Sequence, residues 1–92
     1  MELKHALEDY IHYITAQEQK SLRTIQSYTH DLKRYLEYLN KNGINDIENI
    51  QYEMIHQYIQ NMRTSYASTT INHAITSIHM FHEYCEVTYH VK

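Results

Sequence analysis

The sequence predicts an all-α fold, a compact bundle of four or five helices, on three observations. Apolar residues recur at helical spacing in four segments. There is no proline and only one glycine, Gly43, which leaves too few turn formers for an all-β fold and no Gly-rich phosphate loop. Ninety-two residues at 42% apolar content suit a single small domain, residues 1–92, around one modest core, and are too apolar for simple disorder.

The first helix is expected over about 3–16, with Leu3, Leu7, Tyr10, Ile11 and Ile14 on one face. The second starts after Ser21, whose hydroxyl can accept a free N–H of the first turn. It ends before Gly43, which suits the left-handed residue after a helix, and Lys41 complements the negative end of its dipole. Ile25, Tyr28, Leu32, Leu36 and Leu39 form its apolar side. The stretch "INDIENI" at 44–50 reads as a connector pinned by Ile44, Ile47 and Ile50, with Asp46 or Asn49 as a cap for the next helix. A third helix is expected over about 52–63, with Ile55, Tyr58, Ile59 and Met62 inward. A fourth is expected over about 69–86, with Ile71, Ile75, Ile78, Phe81 and Cys85 as its stripe. The tail "VTYHVK" is β-prone but too short for a sheet. Thr24-Ile25 and Thr70-Ile71 each open a helix after small polar residues, a faint echo that two packed helical hairpins would explain.

Composition excludes several functions. One cysteine allows no internal disulfide, and Cys85 continues an apolar stripe, so it reads as core. No apolar run approaches a membrane span and the N-terminus lacks a signal-peptide pattern, so a cytoplasmic protein without membrane contact is expected. Glu2/His5 and Glu53/His56 have Glu-x-x-His spacing but project off the apolar faces, so no metal is assigned and no cofactor is expected. Ten tyrosines stand in for Phe and Trp, and most are expected to be half-buried with the hydroxyl wet.

Charge is sorted along the chain. The net value is −3, yet residues 20–41 hold five basic and two acidic residues, a local +3. At about 100° per residue, Arg23, Ser27, His30, Arg34 and Lys41 fall together opposite the apolar face, with Lys20 and Lys33 nearby. A rod with basic groups at successive turns can span several phosphates. An ordinary solvated face, with Glu37 paired to Lys41 one turn on, accounts for the same periodicity. The fourth helix shows the opposite character. From Thr64 to His82 there is no formal charge, and Thr69, Asn72, His73, Thr76 and Met80 lie away from the stripe. Short hydroxyl and amide groups suit phosphates or base edges, and an exposed Met80 fits a contact surface. Packing against a neighbouring helix explains the same residues.

Two motifs add a resemblance. "SLRTIQSYTHDLKRYLEYL", through Ser21, Thr24, Ile25, Tyr28, Asp31, Leu32 and Tyr35, resembles the opening motif of the core-binding domain of tyrosine recombinases and phage-type integrases. "STTINHAITSIHMFHEY", through Thr70, Ile71, Asn72, Ile78, Phe81 and Tyr84, resembles that family's second motif. Order and spacing agree over nearly the whole chain. The resemblance implies a SAM-like bundle that forms the non-catalytic half of a clamp around double-stranded DNA, with the second and fourth helices on the duplex. It implies a separate catalytic domain as partner, with neighbouring protomers on the DNA. Arginine is common in the family where His73 and His79 stand, which implies weaker phosphate attraction here.

The expected DNA contacts are Arg23, His30, Arg34 and Lys41 on phosphates, Lys20 and Lys33 as outer charges, and Ser27 within the stripe. Thr69, Asn72, His73 and Thr76 are expected toward the groove or adjoining backbone, and His79 is counted among the DNA-binding residues. No catalytic residue is expected, because the tyrosines lack clustered arginines and only three arginines exist. The alternative is a helical protein-interaction module that mediates self-association.

Overall fold

The computed structural model describes residues 1–90. Its elements are α1 (Leu3–Ala16), α2 (Leu22–Lys41), a 3₁₀ turn (Ile47–Asn49), α3 (Tyr52–Arg63) and α4 (Ser68–Tyr89). Among the described residues there is no strand, only an isolated bridge between Glu2 and Asp46. This is the all-α bundle that the sequence predicts, and it is consistent with the SAM-like fold that the resemblance implies.

The helices form where their apolar faces can meet. Leu3, Ala6, Leu7, Tyr10 and Ile14 of α1 are buried, as are Leu32, Tyr35, Leu36 and Leu39 of α2. Tyr58 and Met62 of α3 join Ile71, Ala74, Ile78, Phe81 and Cys85 of α4 in the same core. Each fully buried side chain of this size contributes roughly 1.5–3 kcal/mol over its exposed state. Tyr10 meets Phe81 edge-on at 5.6 Å between centroids, and Tyr35 tilts against Tyr58 at 5.3 Å. Burial pushes the Cys85 thiol up to about 12, which fits an unreactive core residue.

Local signals set the element ends. Ser21 Oγ accepts from the Thr24 N–H at 3.2 Å and starts α2. Gly43 takes φ +83°, and Ile44 then donates its N–H back to the Leu39 carbonyl at 2.9 Å. Ile44 and Ile47 pin the connector in the core. The connector also holds the N-terminus, through Leu3 N–H to Asn45 O and Ile47 N–H to Met1 O, both 2.9 Å.

Several expectations need correction. Helix α4 continues through Val87 and Thr88 to Tyr89, past the expected end at 86, because Tyr89 is tied back: its hydroxyl donates to Asp9 Oδ2 at 2.6 Å. Tertiary anchoring overrides the β preference of those residues. The last two residues of the β-prone tail, 91–92, lie outside the described residues. Ile75 is 41% exposed, because the buried stripe runs through Ala74 at the 3–4 spacing and leaves Ile75 on its flank. Met80 is half-buried and accepts the Tyr28 hydroxyl at Sδ, 3.7 Å away. Neither Asp46 nor Asn49 caps α3. Gln51 holds that position without a side-chain bond, and Asp46 precedes the 3₁₀ turn. Only five tyrosines are half-buried. Tyr10, Tyr35 and Tyr58 go fully into the core, where Phe would ordinarily sit.

Candidate nucleic-acid interface

The packing of α2 on α4 is the most extensive in the bundle. The two helices run in the same sense along this seam, since residues 27, 31 and 35 meet 73, 77 and 82 in turn. At its centre is Asp31, 6% exposed. Its Oδ2 accepts the Ser77 hydroxyl at 2.8 Å and the Nδ1–H of His73. The other ring nitrogen of His73 meets Ser27 Oγ at 3.2 Å. Four polar side chains thus satisfy one another across the two helices, in a place where an unpaired carboxylate would be costly. Further along, Tyr35 Oη lies 2.8 Å from His82 Nε2. Burial, aided by His79, pushes His82 down to about 4, so it stays neutral. Burial raises the Tyr35 phenol, which keeps its proton and donates.

The seam fixes what remains exposed on either side. On α2, Arg23, His30 and Lys41 are exposed and Arg34 is half-buried. Arg34 Nη2 donates to His30 Nε2 at 2.8 Å, since a guanidinium has no acceptor. The same guanidinium carbon sits 4.7 Å from the Tyr66 ring centroid, a cation–π contact. On α4, Thr69, Asn72 and Thr76 are exposed beside His73, whose side chain is 45% accessible. Thr76 Oγ1 turns back to the Asn72 carbonyl at 3.1 Å.

The structure therefore brings the stripe of α2 and the uncharged face of α4 side by side, with some members drawn aside. Ser27 and His73 are hydrogen-bonded within the seam. Lys33 stands about 100° around α2 from Arg34 and lines a cleft against α1 with Lys4 and Glu37. Lys20 is half-buried and pairs with Glu18 at 3.5 Å. His79 pairs with Glu83 one turn on, at 3.1 Å.

Sequence reasoning missed Asp31 and Ser77 as the buried link, and Tyr66 as a partner of Arg34. A signal for the first pair was present. Tyr28 and Tyr35, three before and four after Asp31, both turn inward, as do Ala74 and Phe81 around Ser77. No helix among the described residues is long and apolar enough to cross a membrane.

Comparison with known proteins gives one family. The model of "Phage integrase, N-terminal SAM-like domain" matches residues 7–86. The chain is 34% identical over 80 residues to a protein of Halalkalibacterium halodurans named "Tyrosine recombinase XerD", covering 85% of this chain and 27% of that protein. It is 29% identical over 79 residues to proteins of the same name from two strains of Staphylococcus epidermidis, again covering 85% and 27%. The chain thus spans about a quarter of the length of these relatives. No solved structure gave a significant match. With the family's motifs on α2 and α4 and a four-helix bundle built around them, the chain belongs to the phage integrase N-terminal SAM-like domain family.

Proposed function

We propose that this chain is the DNA-binding arm of a tyrosine recombinase or integrase, which holds the duplex while a separate C-terminal domain carries out strand exchange. The observation that carries the reading is the α2–α4 seam. It joins two adjoining helices, one carrying exposed cationic groups and the other exposed neutral hydrogen-bonding groups. The work done is positioning. Arg23, Arg34 and Lys41 take phosphates, with His30 beside Arg34, while Lys20 and Lys33 supply outer charge. Thr69, Asn72, Thr76 and the open edge of His73 approach the groove or the adjoining backbone, and His79 lies farther along α4. Neighbouring recombinase protomers on the same DNA are further expected partners.

The test is a titration of a short labelled duplex, followed by anisotropy across a salt series. Arg34→Ala together with Lys41→Ala should weaken binding and flatten the log–log salt dependence by about one unit per lost phosphate contact. An unchanged slope counts against the assignment.

One observation favours a second reading, self-association. Tyr52, Ile55, Ile59 and the exposed Ile75 line an apolar cleft of about 280 Å³ between α3 and α4. Sedimentation across a dilution series separates the two readings. A dimer that forms without DNA and is lost on Ile75→Glu supports the second.

A further inference from the structure

The cleft between α2 and α3 carries two buried donors, facing one another, neither of which makes a well-formed hydrogen bond among the described residues. Tyr58 is 5% exposed and its ring is fixed against Tyr35 and Tyr38, at 5.3 and 5.1 Å. Its hydroxyl is buried with no hydrogen-bond partner among the described residues, and so is Nη1 of Arg34. Orphaned donors of this kind are rare inside proteins, and two in one place call for an acceptor. Both residues line an open cleft of about 250 Å³, together with Lys41, Asn61, Tyr66 and Glu37. Arg34 is held there from two sides, by His30 on Nη2 and by the Tyr66 ring. Burial pushes the Tyr58 phenol up to about 12, against the charge of Arg34 and a hydrogen-bonding approach of its guanidinium to the phenol oxygen, so Tyr58 keeps its proton and that proton is left to donate. No ion pair within 4 Å joins Glu37 to Arg34 or Lys41 among the described residues.

We infer that this cleft is an oxyanion site in which Arg34 Nη1 and Tyr58 Oη jointly grip one backbone phosphate of the duplex, with Lys41 and Asn61 at its rim. The inference rests on the duplex-facing reading of α2 and extends it to α3, from which no contact was expected. A phosphate is favoured over a protein carboxylate because Arg34 shares one helix face with Arg23 and Lys41, a cationic row long enough to span several phosphates.

The experiment uses Tyr58→Phe, which deletes only the orphaned oxygen and keeps the ring contacts. Inorganic phosphate is titrated first, followed by NMR of the Arg34 side-chain N–H and the Tyr58 ring. Saturable shifts of both in the wild-type protein, with affinity at least about fivefold lower in Tyr58→Phe, are expected. Glu37→Gln should tighten phosphate binding, because it removes the one carboxylate of the cleft. Tyr58→Phe should leave thermal stability unchanged or raised, since a buried unpaired hydroxyl is lost. A Tyr58 with a structural role only would lower it. Absence of phosphate shifts, or equal affinity in both proteins, overturns the inference. So does stronger binding of acetate than of phosphate, which would assign the cleft to a protein carboxylate. The duplex is titrated last. Shifts on α2 and α4 that bypass Tyr58 overturn the duplex source of the phosphate. Phosphate binding with no response to duplex upholds the cleft as an oxyanion site and refutes the DNA-binding reading itself.

Discussion

Replacing Asp31 by alanine tests whether the seam holds the two proposed DNA-facing helices together. Asp31 is almost fully buried and accepts from Ser77, which is itself 0% exposed, and from His73. Removing the carboxylate strands the Ser77 hydroxyl, at about 1–3 kcal/mol for an unsatisfied buried group. Part of this returns, because a serine on a helix can donate to the carbonyl one turn back. His73 is accessible enough to regain water, so its loss adds little. The expected cost is about 2 kcal/mol, read as a shift in urea midpoint at constant slope, or as a fall of roughly 10 °C in Tm for a domain of this size. His73→Ala should cost about as much, since it leaves a buried carboxylate with one donor fewer. The double variant should cost less than the sum by at least about 1 kcal/mol, because the two side chains act through one bond.

The same substitution separates position from charge. Asp31→Ala removes a negative charge from the helix that carries the cationic stripe, so long-range electrostatics alone would strengthen DNA binding. A seam role predicts weaker binding with an unchanged salt slope, because α2 and α4 lose their register while every cation remains. A stability change within about 0.5 kcal/mol, additive single variants, or tighter DNA binding would each refute the reasoning.

His82 gives a pH signature. Its folded pKa of about 4 lies below the ordinary value of 6.5, so as pH falls the unfolded chain takes up this proton first. Its contribution to stability is therefore complete above pH 6.5, declines between 6.5 and 4, and is flat below, by a total of about 3 kcal/mol. His82→Phe should lower stability by a constant amount, through the stranded Tyr35 hydroxyl, and lose this slope. Parallel curves for the two proteins down to pH 4 would rule out the effect. Ser21→Ala should cost about 1 kcal/mol by removing the cap of α2, and amide exchange should quicken in the first turn of that helix alone.

Most of the fold was legible because it rests on local chemistry. The four helices follow apolar spacing, and the ends of α2 follow from Ser21 and Gly43, whose roles are carried within a few residues. What failed depended on distant partners. Tyr89 extends α4 only because Asp9, 80 residues away, receives its hydroxyl. Ile75 sits on a stripe edge, where a small angular offset decides between core and cleft. Asp31 looked like one of two acids diluting a basic helix, since a buried carboxylate and a solvated one are the same letter. Only the inward neighbours on both sides marked it, and the donors that make its burial tolerable come from residues 73 and 77.

The polar residues of α2 and α4 divide by whether their hydrogen bonds are already used. Ser27, Asp31, His73 and Ser77 direct theirs at one another, and this closed network ties the pair of helices together. Arg23, Lys41, Thr69 and Asn72 keep polar groups outward, and Arg34 keeps one nitrogen free inside its cleft. His73 stands on the boundary. Its ring is short and flat enough to reach Ser27 with one nitrogen and Asp31 with the other. An arginine there, as the resemblance implies for relatives, would carry its charge past the seam on a longer arm and offer more to a phosphate. On the proposed DNA-binding reading, the chain gives up long-range attraction at this position for a hydrogen-bonded tie between the two helices. Affinity, on that same reading, then comes from the few cations whose donors remain free, with Arg34 and its cleft foremost among them.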